Sequence, residues 1–574
     1  MSRTTLYLDF VEPLGSGRFK IEGYLGGGGS ATLKDLQLMV NGSKQDIEYV
    51  KRNQEQEGID GHNPLPKTTF TAEIVTKDKA VLAASLQGRK IAIKCNRFTR
   101  LPNLLIAYKK TNGHLVVRTA KSIRFIRYSR PKHAFLELLT ILSVAFNWRL
   151  ATAAQRVSTA KSRGRSVLSE GAKGVFVTLE SMLEIPRALL LRLMYWTSEW
   201  RSSGRAVWLF SDRVTSAGDN GEALFRYAAA QKDLPADIYF VISRKTQSYK
   251  ELQQIGRVVA YGSLKHLLVF LRAHMVISSH ADIEVINPFL RQADKYRNLF
   301  RFKFIFLQHG VIRHDLSSWL NRYNRNIDLF ITSSQVEYDS ILSNPYYYSS
   351  DSVLLSGLPR HDSYESAPDK TLLIMPTHRA YLLKGRVLRS GARPYSESFK
   401  DSRYRNFYND LINDPKLHAA LDRNGMRAEF YLHPALAAQE RDFSGNKHVE
   451  IMSYPHSYRR AYKHGSILVS DHSSVIFDFV YLSKPVLYAH FDNEEFYENH
   501  TYTKSDFFDD ERDGFGPVCT SYDGLVGELI KQIDAGCKLK GAYKKRAGKY
   551  FAYKDKHNSK RVYDAIIDRA RQQG

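Results

Sequence analysis

The chain has 574 residues, of which 43% are hydrophobic and 25% charged, so disorder is not the default and several folded domains are expected. Its 84 Lys and Arg residues outnumber the 59 Asp and Glu residues, and the formal net charge of +25 favours anionic partners, namely phosphate-rich substrates, an anionic membrane face or nucleic acid. Three widely spaced cysteines argue against a disulfide framework or a cysteine zinc site and suit a reducing cytoplasm.

Residues 1–128 are predicted to form a β-rich accessory domain. Short alternating apolar runs are separated by Gly-rich or Asn-Gly turns, and Asn41-Gly42 and Asn112-Gly113 are strong hairpin signals. The pattern predicts a β-sandwich or a small barrel. The first residues lack the basic-then-apolar plan of a signal peptide, so we expect no export.

Residues 129–204 are predicted to form basic amphipathic helices. Two apolar segments, residues 135–148 and 185–200, flank a tract rich in Arg and Lys. Tryptophan beside aliphatic and basic residues suits helices that lie in a lipid interface. The alternative is a buried linking helix with solvated arginines, and amphipathicity alone does not separate the two. The first segment is shorter than the roughly twenty residues that cross a bilayer, so we expect no transmembrane helix.

From residue 205 onward the chain alternates strand-like and helix-like segments. A first series of apolar strands begins at residue 206 and a second begins at residue 371. This alternation predicts an α/β protein with two doubly wound, Rossmann-like domains, residues 205–365 and 366–574, each built on a parallel sheet covered by helices. Ligands bind such sheets at the carboxyl ends of their strands.

Polar residues follow the predicted strands in both domains. His309, followed by Gly310, comes directly after a strand of the first domain, while His378 with Arg379, and His433, follow two strands of the second. Imidazole can act as a base near neutral pH, and a guanidinium binds phosphate. A lone histidine usually has a structural role, and the position at a strand end raises a catalytic role to equal standing with it.

A third strand of the second domain runs into Asp471, Ser473 and Ser474, and a helical pattern follows. The paired serines therefore lie at a helix N-terminus, where unpaired amides and hydroxyls can bind a diphosphate. The alternative is that Asp471 or Ser473 only caps the helix. Together with the histidines and Arg379 at the neighbouring strand ends, this stretch indicates a nucleotide-diphosphate site with an acid or base nearby.

These motifs together resemble the CDP-glycerol glycerophosphotransferase family of teichoic acid primases and polymerases. The resemblance covers roughly residues 205–551, and each motif is weak alone but specific in combination. The motifs are, in order, Asp212-Arg213, Asp219-Asn220-Gly221-Glu222-Ala223, Gln308-His309-Gly310, Ser356-Gly357-Leu358-Pro359-Arg360-His361-Asp362, Pro376-Thr377-His378-Arg379, His433-Pro434, Ser470-Asp471-His472-Ser473-Ser474 with Asp478, and Lys484-Pro485.

The resemblance implies a GT-B-type enzyme, attached peripherally to the cytoplasmic face of the cell membrane. Such an enzyme transfers a polyol phosphate from CDP-glycerol or CDP-ribitol to a hydroxyl of a lipid-linked or growing cell-wall polymer and releases CMP. By position, the resemblance implies that His309 is the base and that His433 binds or neutralises the donor phosphates. It further places Arg379, Ser473, Ser474, Asp471, Asp478 and His378 on the donor side, with Arg360, Asp362 and Gly310 at the acceptor site or the domain seam.

Two departures from the family's sequence pattern leave the identity of the substrate open. The family often has an aromatic residue before its His-Gly and a Tyr before its paired serines, whereas this chain has Gln308 and His472. One alternative is a sugar-nucleotide-dependent GT-B glycosyltransferase, and another is a protein that binds nucleic acid or another anionic polymer. We expect no nucleic acid partner, because the basic residues join no nucleic-acid-binding motif. We also expect no metal, with Mg²⁺ as the alternative cofactor, because no paired carboxylates follow a strand.

Overall fold

The computed structural model describes residues 4–15, 17–26, 33–51, 68–76, 79–86, 89–95, 107–111, 114–119, 121–140, 186–197, 204–343, 345–383, 385, 393–454, 456–500 and 502–571. The chain divides into two compact units. The first consists of Met1–Val207, Gly262–His274 and Ile286–Phe302, and the second of Trp208–Tyr261, Met275–Val285 and Lys303–Gly574.

The N-terminal part of the first unit is built from two sheets, which confirms the predicted β-rich region. One sheet has the order β5-β6-β2-β1-β9, and the other has the order β10-β11-β12-β7-β3-β4 with β8 on β7. Apolar side chains such as Leu6, Phe19, Phe70 and Phe125 are fully buried in its core. The strands β1 to β12 are Thr5–Gly15, Arg18–Gly26, Leu36–Val40, Ser43–Gln45, Glu48–Lys51, Thr68–Val75, Lys79–Leu86, Arg89–Lys90, Ala92–Cys95, Ala107–Thr111, His114–Arg118 and Ser122–Arg127.

One of the two predicted hairpin turns is described. Strands β3 and β4 pair in antiparallel register across Asn41 and Gly42, whose φ angles are 52° and 89°. Two consecutive residues at positive φ are what a tight two-residue hairpin requires, and Asn-Gly adopts them at low cost. The Asn112-Gly113 pair lies outside the described residues.

Two helices follow, α1 over residues 130–140 and α2 over residues 186–197, while the basic tract between them lies outside the described residues. Arg192 of α2 forms a buried ion pair with Glu137 of α1 and donates to Oδ1 of Asn298 over 2.8 Å. Apolar side chains nevertheless remain in solvent on both helices. These exposed side chains are Phe135, Leu138, Leu189, Leu190 and Leu193.

The second unit contains two parallel sheets, as predicted. The first has the order β15-β14-β13-β16-β17-β18-β19, in which β13 pairs with β16 and β14 with β15 in parallel register. Its strands β13 to β19 are Ala206–Ser211, Ala236–Ile242, Val258–Ala260, Met275–Ser278, Lys303–Phe306, Leu329–Thr332 and Val353–Leu355. The helices α3 to α9 between residues 220 and 342 are Asn220–Ala229, Gln247–Gln253, Leu264–Arg272, Ile283–Ile286, Ser317–Leu320, Arg322–Arg325 and Gln335–Leu342. Of these, α5 (Leu264–Arg272) belongs to the first unit.

The second parallel sheet has the order β22-β21-β20-β23-β24-β25. Its central strands are apolar along their length because helices cover both faces. The strands β20 to β25 are Thr371–Ile374, Arg427–Tyr431, Val449–Met452, Gly465–Ser470, Val486–Ala489 and Val518–Cys519. The helices α10 to α17 are Arg403–Ile412, Pro415–Asn424, Tyr458–His464, Val475–Tyr481, Asn493–Asn499, Tyr522–Asp534, Gly541–Tyr550 and Asn558–Arg571.

The last helix, α17, packs against the first parallel sheet rather than the second. The ring of Tyr563 lies 6.4 Å from that of Trp208 on β13 and 5.6 Å from that of Tyr227 on α3. Asp362 accepts hydrogen bonds from the amides of Asn558 and Ser559 over 2.9 and 2.7 Å and so caps α17. The predicted domain of residues 366–574 includes this helix, whose described ring contacts and cap partner lie before residue 366.

No helix among the described residues is both long enough and apolar enough to span a bilayer.

Candidate active site

A cavity of about 1330 Å³ lies at the carboxyl ends of the strands of both parallel sheets. Most of the sequence-predicted residues line it, namely His309, Gly310, Arg360, Asp362, His378, His433, Ser473, Ser474 and Asp478. Arg379 and Asp471 do not. Parallel strands present their following loops at one edge, which explains why residues so distant in sequence meet here.

His309 follows β17 and is the most exposed of the predicted catalytic residues, with 57% of its side chain in solvent. Its Nδ1 lies 2.5 Å from Oδ2 of Asp219, the N-cap residue of α3. A carboxylate at this distance accepts a hydrogen bond from Nδ1–H. Nε2 of the neutral ring is then unprotonated and can accept a proton. The pair therefore has the arrangement of an oriented general base.

Asp219 is ionised in this setting. Burial raises the pKa of its carboxyl group, but the Arg360 guanidinium and the His309 ring outweigh burial and hold that pKa well below its usual range. In the sequence, Asp219 stands out only as part of a family-like segment, which implies no role for it. No local pattern marks it, because its partner His309 lies 90 residues further along the chain.

The loop before α3 is fixed by a second buried carboxylate. Asp212 accepts hydrogen bonds from the amides of Asp219 and Gly221 over 3.0 and 2.7 Å and from the Ser279 hydroxyl over 2.6 Å. Burial and the neighbouring Asp219 charge raise the pKa of Asp212 to about 7. These bonds hold the Asp219 backbone in place beneath His309.

Arg360 connects the loops of the two parallel sheets. Its Nη1 donates to Oδ1 of Asp219 over 2.6 Å and to the carbonyl oxygen of His309 over 2.5 Å. Its Nε and Nη2 donate to the two carboxylate oxygens of Asp478 on α13, each over 2.9 Å. Asp478 also accepts from the Tyr364 hydroxyl over 3.0 Å. Arg360 thus belongs to the seam and positions the base, and Asp478 orders this loop rather than standing free for a ligand.

Ser473 and Ser474 follow β23 of the second sheet, precede α13 and line the cavity. Ser474 is the N-cap residue but makes no side-chain cap hydrogen bond, and the Ser473 hydroxyl accepts from the Val475 amide only over 3.4 Å. Asp471 accepts instead from the amides of Thr377 and His472 over 2.8 and 2.7 Å. The capping alternative therefore describes this turn poorly, and both hydroxyls remain available to a ligand.

The expected role of Arg379 as a diphosphate ligand does not fit its position. Its side chain is fully buried and is paired with Asp492, over 2.7 and 2.8 Å, and with Asp471, over 2.9 Å. A buried guanidinium requires such carboxylates, and these leave no room for phosphate. Arg379 and Asp471 instead join the loop after β20 to the loop after β23.

His378 and His433 lie side by side, with ring centroids 4.3 Å apart. Burial, the His378 ring and the nearby Arg213 charge lower the pKa of His433 well below its usual range, and burial and Arg379 lower the pKa of His378 to about 4. His433 Nδ1 accepts from the Ala435 amide over 3.1 Å, so Nε2 carries the proton. His433 is therefore a neutral hydrogen-bond donor at pH 7, which argues against charge neutralisation by this residue.

Two groups of described side chains have donor atoms close enough to hold a metal ion. One is Asp219, His280 and His309, and the other is His472, His490 and Asp510. In each group an arginine already pairs with the carboxylate, Arg360 with Asp219 and Arg313 with Asp510. A divalent cation would compete with these guanidinium groups.

Gly310 marks a close approach between the two sides of the cavity. A Cβ atom at this position would lie 2.2 Å from Oγ and 2.8 Å from Cβ of Ser474. We expect Gly310→Ala to displace Ser474, to weaken donor binding and to lower the free energy of unfolding by about 1–3 kcal/mol, as overpacked sites do. Chemical denaturation and donor titration would measure both effects.

The matched control is Gly527→Ala in α15, where a Cβ atom would meet no neighbour within 4 Å. Alanine in a helix is more favourable than glycine, so this variant should be at least as stable as the parent. A Gly310→Ala protein as stable as the Gly527→Ala protein would show that the two loops do not pack as described.

The chain is similar in sequence to proteins of one known family. A family model described as CDP-Glycerol:Poly(glycerophosphate) glycerophosphotransferase matches residues 193–568. The minor teichoic acid biosynthesis protein GgaB of Bacillus subtilis (strain 168) is 40% identical over 365 residues, which are 63% of this chain and 40% of that protein. The chain thus spans about two fifths of the length of this curated relative.

Two solved structures resemble this chain over about two thirds of its length. The wall teichoic acid polymerase TagF has a TM-score of 0.45 at 14% identity, covering 68% of this chain and 96% of that chain. UDP-GlcNAc 2-epimerase from Neisseria meningitidis, bound to UDP-GlcNAc, has a TM-score of 0.38 at 12% identity, covering 63% and 100%. The family model extends over most of the chain, including every loop that lines the cavity. The chain therefore belongs to the CDP-glycerol:poly(glycerophosphate) glycerophosphotransferase family.

Proposed function

We propose that this chain transfers a polyol phosphate, most simply glycerol phosphate, from a CDP-activated donor to a hydroxyl group of an acceptor and releases CMP. The observation that carries the proposal is the oriented His309–Asp219 pair in a cavity that also exposes Ser473 and Ser474. The activity that names the family supports the donor class. We interpret the two parallel sheets as a GT-B-type pair.

The reaction assigns a step to each group. His309 Nε2 accepts the proton of the acceptor hydroxyl, and the oxygen attacks the phosphorus that carries the polyol. The bond from this phosphorus to the bridging oxygen breaks, and CMP leaves with the bond electrons. Ser473, Ser474 and the neutral His433 donate hydrogen bonds to the diphosphate oxygens. His309 then releases its proton to solvent, so the products are a phosphodiester and CMP.

Four other predicted residues hold neighbouring groups in place in this scheme. Arg360 and Asp478 hold the Asp219–His309 pair against the donor loop, while Arg379 and Asp471 hold the loop that carries His378. No step of this scheme is routed through a cofactor. The acceptor in this scheme is a lipid-linked or growing cell-wall polymer.

A donor panel tests the proposal. Nucleotide release would be measured for CDP-glycerol, CDP-ribitol, a UDP-sugar and a GDP-sugar, each with a short glycerol phosphate acceptor. We expect CMP release from CDP-glycerol that depends on the acceptor. Turnover of a sugar nucleotide alone would favour the glycosyltransferase alternative and overturn the donor assignment.

We also propose that the apolar faces of α1 and α2 attach the protein peripherally to an anionic membrane surface at the cytoplasmic face. Leu190 and Leu193 are 52% and 63% exposed, and Phe135 is 61% exposed. The buried Arg192–Glu137 pair holds the two helices together behind these side chains. The net charge of +25 favours anionic lipid. Apolar burial combined with such attraction is the usual mode of interfacial helices.

The double variant Leu190→Glu/Leu193→Glu should lower binding to phosphatidylglycerol vesicles by at least about tenfold, because each leucine that leaves the lipid costs roughly 1.5–3 kcal/mol. Co-sedimentation with vesicles measures the change. Leu14→Glu, at a leucine that is 48% exposed on β1, serves as the control and should bind normally. Equal binding of all three proteins would remove the support for this attachment.

A further inference from the structure

Arg213 lies on the loop between β13 and α3, next to the buried Asp212. The loop is braced by backbone hydrogen bonds, from the Ser216 amide to the Arg213 carbonyl over 3.2 Å and from the Ser243 amide to the Val214 carbonyl over 2.7 Å. The Arg213 side chain is half-buried and lines the cavity. The backbone that carries this guanidinium at the cavity is therefore fixed.

Four other arginines at or near the cavity are already paired, and a fifth, Arg459, lines the cavity but is exposed to solvent. Arg360 is bound by Asp219 and Asp478, and Arg379 by Asp471 and Asp492. Arg313 and Arg226 pair with Asp510 and Glu222 respectively. In the parts of the chain that the structure describes, Arg213 forms no ion pair with a carboxylate and no side-chain hydrogen bond. A half-buried charge without a counter-ion is costly, so this position favours an anionic ligand.

The positive charge of Arg213 contributes to lowering the pKa of two histidines that line the cavity, His280 and His433. Burial, His309 and then Arg213 lower the pKa of His280 beside the proposed base. Burial, His378 and then Arg213 lower the pKa of His433 on the donor side. Arg213 therefore lies within electrostatic reach of both His280 and His433.

We propose that Arg213 binds the diphosphate of the CDP donor and takes up the negative charge that develops on CMP as it leaves. The proposal rests on the proposed function and replaces Arg379 as the cationic ligand. A guanidinium can bind two phosphate oxygens at once, which a lysine ammonium cannot match in geometry. Its contribution grows as charge moves to the leaving group, so it stabilises the transition state more than the bound donor.

Isothermal titration of the full chain with CDP, cytidine and a short glycerol phosphate oligomer tests the proposal. Arg213→Gln should weaken CDP binding by about 10- to 100-fold, since hydrogen bonds to charged groups are of that strength, and should leave cytidine binding unchanged. Arg213→Lys should recover part of the CDP affinity. The control is Arg257→Gln, at an arginine whose side chain is 60% exposed and pairs with Asp237.

Turnover gives a second readout. Arg213→Gln should lower kcat by about 10² to 10³, the range found when one transition-state donor is removed. CDP affinity within twofold of the parent would overturn the assignment while leaving the proposed function intact. Loss of oligomer binding with CDP binding retained would assign Arg213 to the acceptor and overturn it as well. Equal losses of CDP and cytidine affinity in Arg213→Gln would show that Arg213 has a structural role, and would overturn the assignment too. Failure of the parent chain to bind CDP would overturn the proposed function itself.

Discussion

Replacing His309 by alanine should lower kcat by about 10² to 10⁴, the usual contribution of a positioned general base. The structure supports this size of effect because His309 is exposed to the cavity and oriented by Asp219 over 2.5 Å. The Michaelis constant for CDP-glycerol should change little, since the ring acts on the acceptor hydroxyl. Steady-state CMP release at saturating acceptor would measure the loss.

Asp219→Asn should give a smaller loss than His309→Ala, because an amide oxygen can still accept the Nδ1 proton but carries no charge. His418→Ala, outside the cavity, is the matched histidine control and should keep full activity. If His309→Ala retained more than about a third of the parent kcat, far above the range for a lost general base, the ring would have no role in proton transfer.

Asp478→Ala should lower the free energy of unfolding by about 3–5 kcal/mol, the range measured when one partner of a buried ion pair is removed. Asp478 accepts two hydrogen bonds from Arg360 and one each from His361 and Tyr364, and all four residues are buried. The variant should also lose activity, because Arg360 no longer holds Asp219 and the His309 carbonyl in place. Urea denaturation and kcat would be measured on the same protein.

The matched control is Asp534→Ala, which removes an exposed ion pair with Arg423 on the same unit. Exposed pairs contribute little to stability, so this variant should unfold at nearly the parent urea concentration. Equal midpoints for the two variants would mean that the Arg360 network does not join the two loops.

The sequence was sufficient to predict the two parallel sheets and the loops that line the cavity. Apolar strand patterns are local, and each parallel strand delivers its next loop to the same edge of its sheet. For this reason His309, His433 and Ser473 could be placed at strand ends without any knowledge of tertiary contacts.

The sequence could not show which arginine is available to a ligand. Arg379 follows a strand and looks like a phosphate ligand, but Asp492, 113 residues away, neutralises it. Arg213 has no such partner among the described residues, and nothing near it in sequence signals this difference. The contacts of α17 and of Asp219 were missed for the same reason, since ion pairs and helix caps between distant segments leave no local periodicity.

Transfer of glycerol phosphate from CDP-glycerol to a short glycerol phosphate acceptor, followed by ³¹P NMR for the new phosphodiester, tests the central claim most directly. We predict one phosphodiester for each CMP released by the parent chain, and product formation at least about a hundredfold slower for a His309→Ala protein that is folded and binds CDP. CMP release without a phosphodiester, or equal product from the parent and the His309→Ala protein, would contradict this account.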